Sequence, residues 1–127
     1  RLSDYKQIGD KCLFSNATSN GQGILSYDLI TKTINKIYTN GCDFKYFQQV
    51  EDKWLINATS NSYGLLLYNP QDESVVKIYR TFRDMNKVEQ YGENYLIEGI
   101  KEQEPRTLLY NPTDQTCKLV GYYLEVE

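Results

Sequence analysis

Short runs of strand-forming residues, broken at close intervals by Asn, Ser, Gly and Pro, extend along the whole chain. The middle of the sequence shows the pattern most clearly. Trp54-Leu55-Ile56-Asn57-Ala58-Thr59 is rich in strand formers and is broken by Ser60-Asn61-Ser62. Gly64-Leu65-Leu66-Leu67-Tyr68 follows and stops at Asn69-Pro70-Gln71-Asp72. Asn-Pro initiates turns, because Pro sets φ and Asn bonds its own downstream backbone. Ser74 to Tyr79 and Asn86 to Tyr91 make two further strands, and Gly92-Glu93-Asn94 turns the chain into the next unit. No stretch carries a 3.6-residue apolar period of helical length. The pattern predicts an all-β chain of about twelve strands in three groups of four.

The groups are copies of one another. Asn16-Ala17-Thr18-Ser19-Asn20 returns 41 positions later as Asn57-Ala58-Thr59-Ser60-Asn61. At the same offset Gly23, Leu25 and Tyr27 meet Gly64, Leu66 and Tyr68, and Lys36-Ile37-Tyr38 meets Lys77-Ile78-Tyr79. A third copy is more worn: Trp54-Leu55-Ile56 matches Tyr95-Leu96-Ile97, and Glu98-Gly99 replaces the Asn-Ala pair. With one inserted residue, Leu66 to Asp72 matches Leu108 to Asp114. A fixed period of this length means repeated supersecondary units. Repeats are expected at about 9–49, 50–90 and 91–127, the last lacking its fourth strand, with residues 2–8 as a possible closing strand.

The run Asp52 to Thr59, then Gly64 to Pro70, then Val75 to Tyr79 resembles a blade of the β-propeller family, in the manner of sensor-regulator and Kelch-like propellers. The resemblance implies an architecture of four-stranded blades rather than a particular activity. Closed propellers have about four to eight blades. Three units would then be half of a six-bladed ring completed by a second copy, or a segment of a longer propeller. The β-trefoil, also three four-stranded repeats of this length, is the competing fold.

Composition narrows the chemistry. The 127 residues hold 14 Lys and Arg against 17 Asp and Glu, a net charge of −3, which argues against a general nucleic-acid binder. The absence of histidine removes Ser-His-Asp and Cys-His nucleophile systems and every His-containing metal site. Cys12, Cys42 and Cys117 are far apart and odd in number, which suits small apolar strand residues better than a disulfide framework or zinc. No apolar run approaches the roughly 18 residues of a membrane span. The opening Arg1-Leu2-Ser3-Asp4 reads as a processed chain or an excised piece. No cofactor is expected, since Gly21-Gln22-Gly23 lacks the following helix that a phosphate site requires.

Candidate binding residues lie in the connections. Asp10, Glu51, Asp52, Glu93 and Asn94, with Asp28, Asp72, Glu73 and Asp114, fall in loops that would share one rim and form an acidic surface suited to a basic partner. Turns also select Asp and Asn for their own geometry. Asn20, Asn61 and Tyr63 lie in the loops after the Asn-Ala-Thr motif, where aromatic and amide groups suit sugars or proteins. Tyr27, Tyr68 and Tyr110 recur at one repeat position, as do Tyr38 and Tyr79, which points to packing between repeats. The expected function is a non-catalytic binding or scaffold module for a protein partner or for self-association. Carbohydrate recognition is the alternative, and glycosidase-like catalysis by a carboxylate pair is less favoured.

Overall fold

The computed structural model describes residues 2–16, 23–39, 44–58 and 64–121. These form twelve strands and no helix: β1 (Leu2–Ile8), β2 (Lys11–Asn16), β3 (Gly23–Asp28), β4 (Ile34–Tyr38), β5 (Phe44–Val50), β6 (Lys53–Ala58), β7 (Gly64–Asn69), β8 (Ser74–Arg80), β9 (Phe82–Tyr91), β10 (Asn94–Lys101), β11 (Glu104–Asn111) and β12 (Thr116–Gly121). They pair into three four-stranded antiparallel meanders, β1 to β4, β5 to β8 and β9 to β12. The all-β class and the three repeats read from the sequence are both present.

Pairing moves the unit boundary by one strand. Residues 2–8 pair with β2 as the first strand of the first sheet, rather than closing the last repeat. The strand ending at Tyr91 pairs with β10, so it opens the third sheet instead of ending the second. The third sheet therefore has all four strands. A periodic sequence looks the same whichever strand is counted first, and only the hydrogen-bonded ladder chooses.

Each sheet repeats the same local devices. Two-residue turns join β1 to β2, β5 to β6 and β9 to β10, with left-handed φ at Gly9, Glu51 and Gly92, as tight hairpins require. The third and fourth strands of every sheet carry a bulge at one place, between Ile24 and Leu25, Leu65 and Leu66, and Thr107 and Leu108. This explains the recurring glycine. A Cβ on Gly23 would lie 1.9 Å from the Tyr38 carbonyl oxygen, and one on Gly64 would lie 2.5 Å from that of Tyr79. In the third sheet Arg106 stands opposite Gly99, where the Phe82 ring leaves no room for a Cβ. The inserted residue of this copy is taken up in the β10–β11 hairpin, which turns at Glu102 and Gln103.

The sheets stack face to face, first strands beside first strands and fourth beside fourth. One core, with Ile8, Leu13, Ile24, Phe44, Ile56, Leu66 and Tyr68, fills the space between the first and second sheets. The other, with Leu55, Leu65, Leu67, Phe82, Met85, Ile97, Leu108 and Tyr110, fills that between the second and third. The second sheet is covered on both faces, so β6 and β7 read as near-continuous apolar runs rather than alternating ones.

Candidate functional site

A meander places its β1–β2 and β3–β4 type turns at the same end of the sheet, and here all three sheets stack in one orientation. Leu29 N–H donates to the Asp10 carbonyl at 2.8 Å, tying two such turns together. The acidic residues expected on one rim, Asp10, Asp28, Glu51, Asp52, Asp72, Glu73, Glu93 and Asp114, thus belong to turns at a common end of their sheets.

Several of these carboxylates already serve the turns that hold them. Asp28 Oδ1 accepts the N–H groups of Ile30 and Thr31 at 2.8 and 3.1 Å. Asp72 Oδ1 accepts that of Ser74 at 2.9 Å, and Asp114 Oδ1 accepts both N–H and hydroxyl of Thr116. Asn69 and Asn111 do the same for Gln71 and Thr113. Lys32, Glu73 and Gln115 close the three turns in left-handed φ, each donating its N–H to a carbonyl four residues back. These bonds hold the three aspartates below the ordinary carboxylate range: the Thr31 N–H acts first on Asp28, the Ser74 N–H on Asp72 and the Thr116 hydroxyl on Asp114.

Glu73 does more than close a turn. Its carboxylate receives Ser26 Oγ at 2.5 Å and Tyr68 Oη at 3.2 Å, and lies 3.2 Å from Lys11 Nζ. It therefore spans the joint between the first and second sheets. Desolvation, then the Glu73 charge, raises the Tyr68 phenol well above its ordinary value. Across the next joint Glu51 accepts the Tyr95 hydroxyl at 3.4 Å. Among the other sequence candidates, Asp52 is exposed beside Lys53, and Asn94 opens β10 opposite Tyr91. Asn20, Asn61 and Tyr63 lie outside the described residues.

The sequence singled out the repeated motif that begins at Asn57, but not the part this side chain plays between the sheets. Asn57 is fully buried. Its Nδ2 donates to the carbonyls of Gly64 and Phe82, both at 2.8 Å, and its Oδ1 accepts the Met85 N–H at 2.8 Å. It clips the second sheet to the first strand of the third. Asn16, its match at offset 41, does not hold the equivalent position. Asn16 pairs with Gly23, whereas Asn57 pairs one step further on, with Leu65, so Ser15 is the counterpart in the ladder. The only sequence signal was a polar residue inside an apolar strand.

Cys12 and Cys117 are free thiols on β2 and β12, and burial pushes the Cys117 thiol up to about 12. Cys42 lies outside the described residues. No group of three or more potential metal ligands occurs among the described residues. A cavity of about 170 Å³ between β5 and β9 is lined by Tyr46, Phe47, Gln48, Met85, Asn86, Lys87 and Val88, below the roughly 300 Å³ at which small-molecule pockets begin.

The outer faces of the first and third sheets have no neighbouring sheet among the described residues. Phe14, Leu25 and Tyr27 point away from the second sheet and are partly exposed, with Tyr5 and Ile34 more exposed beside them. Their ladder counterparts Ile56, Leu66 and Tyr68 are fully buried. On the third sheet Leu96 and Leu109 are partly exposed, whereas their counterparts Leu55 and Leu67 are buried. No protein-family model, curated protein or solved structure matches this chain.

Proposed function

We propose that the chain is a stack of propeller-type blades acting as a non-catalytic module for protein–protein association. The observation that carries this reading is the unfilled outer face of the first sheet, where residues equivalent to buried core positions meet solvent. An apolar sheet face of this kind suits another protein surface better than a sugar or a small substrate. The blade reading is supported by the pairing: each sheet is hydrogen-bonded within itself, and no strand pairs across sheets among the described residues. A trefoil closes its barrel by strand pairing between repeats, so the self-contained sheets favour blades. Asp28, Asp72 and Asp114 are committed to their own turns and the buried Asn57 to holding two sheets together, which leaves the outer faces for partners.

A glycan array with the whole chain tests the module reading against carbohydrate recognition. Silence across the array is the expected result. Binding that falls when Asn61 or Tyr63 is replaced by Ala would overturn it in favour of a lectin.

A further inference from the structure

At both joints the chain passes from one sheet to the next in the same way. β5 opens with Phe44, which shares a core with Ile24 of β3, and β9 opens with Phe82, which shares a core with Leu65 of β7. Ile24 and Leu65 are fully buried. Thr107 holds their place in the third sheet. Each of the three precedes the bulge of its sheet and pairs with the fourth strand, Ile24 with Tyr38, Leu65 with Tyr79 and Thr107 with Gly121. Thr107 faces the outer side of the third sheet, where no other sheet is packed among the described residues, yet it too is fully buried. Its neighbours on that face are not: Glu98 across the ladder and Leu109 two residues on are partly exposed, and Pro105 two residues back is exposed. Thr107 Oγ1 also has no hydrogen-bond partner among the described residues. A buried hydroxyl calls for a partner, and cover confined to one residue of a face marks a segment running close over it. β12 ends at Gly121, opposite Thr107, so the chain leaves the sheet at that place. The sequence continues Tyr122-Tyr123-Leu124-Glu125-Val126-Glu127, alternating apolar and acidic from Leu124 onward, which is the period of a strand with one buried face.

We infer that residues 122–127 cross from β12 onto the outer face of the third sheet, as the chain after β8 crosses onto the second, with Leu124 over Thr107 in the role of Phe82. Leu124 stands three residues beyond Gly121, as Phe82 stands three beyond Tyr79. Leu124 and Val126 turn to the sheet, Glu125 and Glu127 turn away, and the backbone of the segment satisfies the Thr107 hydroxyl. The cover is local: Leu96 and Leu109 stay partly exposed, whereas their counterparts Leu55 and Leu67, against a whole sheet, are buried. With that end of the third face taken by the chain itself, the partner proposed above meets the outer face of the first sheet. This last step rests on the association reading, whereas the crossing rests on the repeat alone.

The test is a nuclear Overhauser measurement on the isotope-labelled full chain. Contacts from the Leu124 methyl groups to the Thr107 methyl group are expected, with slowed amide exchange over residues 123–127. Leu124→Asp should speed that exchange by about tenfold or more and leave β6 and β7 unchanged, since the segment opens locally. Leu124 contacts limited to its chain neighbours, or exchange over residues 123–127 at the rate of an unfolded chain, overturn the crossing. Contacts found only between differently labelled copies in a mixed sample overturn it as well, because the cover is then another molecule's segment. Missing contacts with a silent glycan array overturn the crossing alone, whereas contacts in place with glycan binding uphold the crossing and overturn the association reading.

Discussion

At the scale of single residues, polar side chains decide how the stack holds together. Asn57→Ala removes the partner of the Met85 N–H and of two carbonyls, all buried. A loss of about 3 kcal/mol is expected in urea unfolding, since each orphaned buried group costs about 1–3 kcal/mol and the site relaxes in part. Asn57→Asp is expected to be worse at neutral pH, because a carboxylate would face the Gly64 and Phe82 oxygens. The aspartate turns carry a pH dependence of known sign. Asp28, Asp72 and Asp114 have folded values below the ordinary one of about 3.9. Their contribution is therefore present above that pH and is lost as pH falls through the lowered values. Asp72→Asn keeps an acceptor for the Ser74 N–H, and its acid-unfolding curve should be shallower than that of the wild type. Tyrosines act at the other end of the scale. Burial raises Tyr110 to about 12, so its contribution is complete below about 10 and fades as pH rises from there towards 12. Tyr110→Phe should flatten the alkaline limb, read by circular dichroism against pH.

Elements are governed by backbone approach at the bulges. The repeated glycine that opens the third strand is required by a carbonyl of the fourth, not by a left-handed turn in the case of Gly64. Gly64→Ala should lower stability by about 2 kcal/mol through overpacking against the Tyr79 carbonyl. Gly92→Ala meets open space but keeps a φ of 65°, and about 1 kcal/mol is expected there. Thermal melts of the two variants check the order. Much of this level was legible in the sequence: strand runs, Asn-Pro and Asp turns, and the Gly to Tyr cadence are local and depend on residue type. The one-step slip between Asn16 and Asn57 was not legible, because a loop can absorb a residue and shift the ladder while the letters still align.

For the whole molecule, the order of layers sets the order of stability. Among the described residues the second sheet has a sheet against both faces, and the first and third have one against a single face each. Amide exchange should be slowest in β6 and β7 and faster in β2, β3, β10 and β11. Equal protection of all three sheets would mean that the outer faces are also covered. Only distant pairing reveals which residues belong to the open faces: Tyr27, Tyr68 and Tyr110 are one position in the repeat, yet only Tyr68 and Tyr110 have a sheet in front of them and are buried.

The amino-acid pattern by itself determined the all-β class, the period, the four strands per unit and the recurring tyrosines, because strand propensity, turn chemistry and repetition are properties of neighbouring residues. Tertiary structure decided where each unit begins, which aspartates are consumed by their own turns, and that Asn57 and Glu73 bridge sheets. Those depend on which ladders form and which faces meet, and a sequence that repeats carries no mark of its own phase.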